Sequence, residues 1–164
     1  MTGSASAADI ELLRRAIALA ASARSRGNHP FGALLTNDEG EAIAEAENTV
    51  LTDRDVTGHA ETNLVRIAWR RFPEDVLARA TLYTSTEPCA MCSGAIYWAG
   101  IPRVVYGLAE AALAEMTGSD PNNPTPALAA TVVLNSGSRQ VEVVGPLLVD
   151  EAAAVHKGFW NPDG

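Results

Sequence analysis

Cysteine is scarce in this chain. Its 164 residues include two, Cys89 and Cys92, three positions apart. A pair so close cannot supply a disulfide framework, and in a reducing compartment a Cys-x-x-Cys pair binds metal or is redox-active. Long apolar runs are missing too: none reaches the ~18 residues of a membrane span, so no membrane partner is expected. The opening "MTGSASAADI" lacks the basic-then-apolar design of a secretory signal, and a cytoplasmic location is the expectation. Positive charge is in deficit, with 12 Lys+Arg against 20 Asp+Glu and a net charge of −8. An acidic chain repels phosphate backbones at long range, which argues against a nucleic-acid partner. There is no internal repeat. What remains, 47% hydrophobic and 20% charged residues, suits one soluble domain with a substantial core.

The pattern of what is present predicts alternating elements. Residues 1–8 read as a flexible tail and 9–164 as one domain. Ile10, Leu13, Ile17, Ala20 and Ala21 recur at helical spacing between Asp9, a candidate N-cap, and the stop at Gly27. "FGALLT" (31–36), the turn "NDEG" and "EAIAEAEN" (41–48) read as a β-hairpin. A helix is predicted over 59–71, ended by Pro73, and strands over 80–86, 103–108 and 140–145. Further helices are predicted over 89–100, 109–116 and 147–160, with a Gly/Pro/Asn-rich loop at 117–128. Strands alternating with helices imply parallel pairing with crossovers. The expected fold is an α/β three-layer α/β/α sandwich around a mixed five-stranded sheet.

Two short stretches concentrate the chemistry: "TGHAETN" at 57–63 and "STEPCAMCSG" at 85–94. Cys89 and Cys92 at i and i+3 share one face at the start of a helix, where the dipole favours thiolates. With His59 they form a three-ligand set for Zn²⁺ that leaves a fourth position for water, as a catalytic site needs. Such an ion lowers the pKa of its water to roughly 7. Glu61 then sits beside the site without being an obvious ligand, placed to accept the water's proton and pass it on. A structural zinc site would want a fourth protein ligand, and only His29 and His156 remain as histidines; both read as core or surface residues.

His-Ala-Glu at 59–61 with Pro-Cys-Ala-Met-Cys at 88–92 resembles the zinc-dependent cytidine deaminase superfamily, whose motif is H-x-E with P-C-x-x-C. "PFGALL", "AEN" and "LYTSTEPCAMCSGAIYWA" extend the likeness across most of residues 10–110, with bacterial guanine deaminases and related nucleobase deaminases as the most similar branch. The resemblance implies His59, Cys89 and Cys92 as zinc ligands and Glu61 as proton shuttle. It implies Asn48 and the backbone N–H of Ala60 as contacts to the base, and Phe31 and Trp98 as candidate pocket walls. Asp120 is implied as a contact to an exocyclic amine, and residues 147–164, with Phe159 and Trp160, as a segment that could close over the site. "DVTG" before the histidine departs from the Asp-Pro-Thr-Ala common in relatives and puts the shape of that pocket edge in question.

The expected reaction is hydrolytic deamination of a free amino-substituted base with release of ammonia. Guanine or isoguanine is favoured; cytosine and aminotriazines stay open. Two alternatives stand beside it: a tRNA adenosine deaminase, and a catalytically silent zinc-binding subunit of a heteromeric editing enzyme. The acidic balance of 139–164 argues against tRNA, and Glu61 argues against silence. The apolar "GAIYWAG" and the resemblance both point to a homodimer.

Overall fold

The computed structural model describes residues 3–118, 120–121 and 123–160. In chain order the elements are α1 (Ala7–Ser25), β1 (Gly32–Thr36), β2 (Ala42–Glu47), α2 (Val50–Asp53), α3 (Ala60–Arg71), α4 (Glu74–Leu77) and β3 (Thr81–Thr86). These are followed by α5 (Ala90–Ala99), β4 (Arg103–Leu108), α6 (Glu110–Thr117), α7 (Ala130–Leu134), β5 (Glu142–Val144) and α8 (Val149–Ala154). The five strands form one sheet in the order β2-β1-β3-β4-β5. β1 pairs antiparallel with β2 and with β3, while β3–β4 and β4–β5 are parallel. The mixed sheet expected from the sequence is present.

Both faces of the sheet are covered, and strand periodicity divides the core in two. Ala33, Leu35, Leu82, Val104 and Val143 face one cluster with Leu64 of α3, Ile96 of α5 and Leu134 of α7. Leu34, Tyr83, Val105 and Val144 face the other with Leu13 and Ile17 of α1 and Ala152 of α8. This is the three-layer α/β/α arrangement. α1 lies close on β1: a Cβ on Gly32 would stand 2.5 Å from the backbone nitrogen of Ala20, a space only glycine permits.

The first helix corrects one expectation. Ser6, not Asp9, is the N-cap, and α1 takes in Ala7 and Ala8 from the expected tail. Asp9 stands three residues in, where it completes a capping box: Ser6 Oγ accepts from the Asp9 N–H at 3.1 Å, and the Ser6 N–H donates to Asp9 Oδ2 at 2.8 Å. Met1 and Thr2 lie outside the described residues. Three short helices, α2, α4 and α7, fill stretches with too few residues to show a helical period. The last predicted helix is cut to Val149–Ala154, with turns through residue 160. No helix is long and apolar enough, among the described residues, to cross a membrane.

Asp9 also joins three elements. Arg103 on β4 grips it with two bonds, Nη1 to Oδ1 at 2.8 Å and Nη2 to Oδ2 at 3.0 Å, and the Tyr83 hydroxyl on β3 donates at 2.7 Å. Burial pushes its carboxyl up, but these donors outweigh burial and hold it well below the usual carboxylate range. A depressed carboxyl contributes stability above about pH 3.9, and that contribution is lost as pH falls. Asp9→Ala should lower unfolding stability at neutral pH by roughly 2–4 kcal/mol, from the loss of half of a capping box and of Arg103's bidentate partner, which leaves Arg103 only Glu142 among the described residues. Urea titration checks it, and a loss under about 0.5 kcal/mol would contradict it.

Candidate active site

Two helix starts meet at the metal triad. His59 is the N-cap of α3, Cys89 is the N-cap of α5, and Cys92 stands one turn further along α5. The approach to His59 is held by Asn63 of α3, whose amide donates to the Glu47 carbonyl at 2.9 Å and to Thr49 Oγ1 at 3.0 Å. His59 Nδ1 faces both sulfurs, at 3.6 Å from Cys89 Sγ and 3.5 Å from Cys92 Sγ. A tetrahedral zinc with bonds of about 2.3 Å to sulfur and about 2.0–2.1 Å to nitrogen requires S···N edges of about 3.6 Å. The donor set therefore fits zinc in chemistry and in dimension, and it is the cluster of three metal-ligating atoms found among the described residues. The Cys92 thiol, hydrogen-bonded to Cys89, pulls the Cys89 thiol down to about 4 despite its burial. Cys92 itself is raised well above its ordinary value by that same bond and by burial.

Glu61 lies in the first turn of α3, buried beside the triad. Thr84 Oγ1 on β3 donates to its Oε1 at 2.6 Å, and Cys92 Sγ lies 3.5 Å from its Oε2. Burial raises its carboxyl above the ordinary value, so it can exchange protons nearer neutrality. Glu61 shares with His59 and Cys89 a cavity of about 390 Å³ that also takes in Phe31 and Asn48. This is within the size range of small-molecule sites.

Residues 6–108 match the family described as "Cytidine and deoxycytidylate deaminase zinc-binding region". The chain belongs to that family. It is therefore a hydrolytic, zinc-binding deaminase, and nucleobase deaminases are among its relatives. It is 43% identical over 153 residues to a probable cytosine deaminase of Schizosaccharomyces pombe, covering 93% of each chain. It is 44% identical over 109 residues to a guanine deaminase of Bacillus subtilis, covering 66% of this chain and 69% of that protein. The solved guanine deaminase of Nitrosomonas europaea superposes with a TM-score of 0.76 at 25% identity, over 95% of this chain and 85% of that one. Relatives named tRNA-specific adenosine deaminase match over 52% to 62% of this chain.

Of the residues singled out in the sequence, Phe31, Asn48, His59, Glu61 and Cys89 line the cavity, and Cys92 completes the triad beside it. Asn48, at the end of β2, is buried; its Oδ1 accepts from the Val50 N–H at 3.1 Å, leaving its amide N–H groups to donate. Ala60 is buried at the first position of α3, where backbone N–H groups lack an intrahelical acceptor. Trp98 is a correction: it does not line the cavity and is 76% exposed. It shares a helix face with Met91, which does line the cavity, but sits seven residues or about 10 Å further along α5.

Phe159 and Trp160 do not line the cavity either. They pack behind it on residues that do: Trp160 lies 5.3 Å from the His29 ring and 6.3 Å from Phe31, and Phe159 lies 5.9 Å from His29. The described part of the C-terminal segment thus backs the aromatic wall; residues 161–164 lie outside the described residues. Asp120 is buried outside the cavity lining and acts through its charge on His29. Residues 123–126 of the predicted loop also line the cavity.

Several lining residues had not been singled out. His29 reaches the cavity, and burial, first of all, lowers its pKa so that it stays neutral. Thr86, Glu87 and Glu110 stand at and just past the C-terminal ends of β3 and β4. The signal available was topological: in α/β sheets, ligands bind beyond the carboxyl ends of parallel strands. Burial, followed by the charges of Cys89, Glu61 and Glu87, pushes the Glu110 carboxyl up to about 8.

Thr84→Val should leave zinc content unchanged and lower kcat by roughly tenfold, because Glu61 loses the donor that fixes its rotamer. Steady-state kinetics with metal analysis checks this; unchanged kcat would show that Glu61 is held in place without Thr84.

Proposed function

We propose that the chain removes the exocyclic amine of a free nucleobase by hydrolysis, with a guanine-like amino-purine as its preferred substrate. The observation that carries this reading is the placement of Glu61, His59 and Cys89 in one cavity of about 390 Å³, also lined by the chain's own residues 123–126, with Cys92 completing the triad beside it. Such walls suit an isolated ring. A polynucleotide would have to bring its phosphates to a chain of net charge −8. Cytosine is the second reading, because the relative matched over 93% of the chain is named a probable cytosine deaminase.

His59, Cys89 and Cys92 would hold the zinc, which when bound supplies the Lewis acidity that makes water nucleophilic at neutral pH. The Asn48 amide donates to an acceptor on the ring, and the Ala60 N–H to a carbonyl or nitrogen beside it. Together they turn the amine-bearing carbon toward the triad. Glu61 takes a proton from the attacking water and delivers it to the ring nitrogen next to that carbon. It then moves the second proton to the departing amine. The C–N bond breaks, ammonia leaves, and the oxo base remains. The first-turn amides of α3 and α5 stabilise the negative charge that develops in between.

We also propose a homodimer formed through the α3–α5–α7 layer. Met91 and Trp98 on α5, Val132 on α7 and the nearby Leu128 leave apolar side chains exposed on that side, more than a solvated layer would carry. Light scattering should give a dimer for the wild-type chain and a monomer for Trp98→Asp; a wild-type monomer at working concentration would contradict it.

The functional reading is tested by incubating the purified protein with guanine, isoguanine, adenine, cytosine and a tRNA, following ammonia. Release from a free base, fastest with a guanine-like one, is expected; release from tRNA alone would overturn the reading. Glu61→Gln should retain zinc and lose activity by a factor on the order of 10²–10⁴.

A further inference from the structure

Glu61, Glu87 and Glu110 all line the cavity, and two of them are accounted for. Glu61 is held by Thr84 at 2.6 Å. Glu87 accepts from the Ala130 N–H with Oε1 at 2.9 Å and from the Glu110 N–H with Oε2 at 3.0 Å, so both its oxygens are engaged in tying the starts of α6 and α7 to the end of β3. The Glu110 carboxyl accepts no hydrogen bond from the described residues, although Glu110 is only 8% exposed. Beside it, Thr86 lines the same cavity, and its buried Oγ1 also has no hydrogen-bond partner among the described residues. Buried polar groups left unpaired are costly. Here the remaining neighbour of both is the cavity and whatever fills it.

The sheet places these groups relative to Asn48. The Asn48 N–H donates to the Phe31 carbonyl at 3.0 Å, extending the β1–β2 ladder by one step. β1 and β3 run antiparallel with Ala33 opposite Thr84, so Phe31 and Thr86 lie beyond that last pair at the same end of the two strands. Thr86 in turn pairs with Leu108, two residues before Glu110. Asn48, Phe31, Thr86 and the approach to Glu110 therefore form a row along one end of the sheet. Asn48 and Leu108 stand at its two ends, three strand spacings or about 14 Å apart at the backbone, and Glu110 opens α6 two residues past Leu108. Asn48 offers donors to the cavity, and Glu110 offers an acceptor.

We infer that Glu110 is a specificity-determining residue that accepts a hydrogen bond from an N–H on the substrate edge remote from the one held by Asn48. The Glu87 clamp on the Glu110 backbone fixes where that acceptor stands. The substrate class is then narrower than a flat aminated ring: it has an acceptor edge for Asn48 and, across the ring, an N–H that is not part of the leaving amine. This inference rests on the deaminase reading of the same cavity and adds the group that chooses among bases.

The test is a methyl scan. The best base for the wild-type enzyme is compared with analogues methylated one at a time at each ring N–H and at any amine that is not lost. Each is assayed for ammonia with wild type, Glu110→Gln and Glu110→Ala, after zinc content and thermal melting confirm that the variants fold. One methylated position should cost the wild type roughly 10- to 100-fold in kcat/KM, and that penalty should vanish in Glu110→Ala and shrink in Glu110→Gln. The penalties at other positions should stay. The loss on the parent base should fall mainly in KM. Equal penalties at every position in all three proteins would overturn the role of Glu110 while leaving the deaminase reading intact. No ammonia from any base with the wild type would overturn that reading, and this inference with it.

Discussion

The meeting of two helix starts around one imidazole nitrogen and two sulfurs is the constraint on which the rest of the structure depends. For Nδ1 of His59 to stand 3.5–3.6 Å from both cysteines, α3 and α5 must pack side by side on the same face of the sheet. Their first turns must end at the same height. The β1–β3 pairing and the parallel β3–β4 crossover fix that height. Pro88 leads directly into α5 with Cys89 as its cap. The first backbone amides of both helices lack intrahelical acceptors. The metal-ligating triad and the placement of Glu61 beside it are thus consequences of one packing arrangement.

Around this centre, carboxylates are used in three ways. Asp9 is buried as an ion, paired twice with Arg103, and ties the start of α1 to the sheet. Glu87 is buried as a backbone acceptor and holds the walls together. Glu61 is kept beside the triad by a single hydroxyl, close enough to trade protons. The functional group is the same; the donors offered by the neighbours set the role.

Much of this was legible in the sequence because the information was local. His59 and Glu61 are two residues apart, Cys89 and Cys92 three, and the helix periods around them are strong. Strand positions followed from runs of β-branched and aromatic residues, and Asn48 and Phe31 from the family resemblance of the stretches that hold them. The rest depended on distances that no spacing encodes. Trp98 shares a face with a cavity residue but lies two turns too far along. Phe159 and Trp160 reach back across more than a hundred residues, Phe159 to His29 and Trp160 to His29 and Phe31, without lining the cavity. Asp9 reads as a cap because the periodic pattern begins there, yet its partner Arg103 is on β4 and the true cap is Ser6. Glu110 looks like a solvated residue opening a short helix; only the sheet register brings it to the cavity.

X-ray absorption at the zinc edge of the purified protein tests the central claim most directly, that two sulfurs and one imidazole hold the metal with a fourth position left open. The account predicts two sulfurs at about 2.3 Å, one imidazole nitrogen at about 2.0–2.1 Å, and one further light atom that is exchangeable and not histidine. A closed shell of four protein ligands, with a second imidazole such as that of His29, would contradict it.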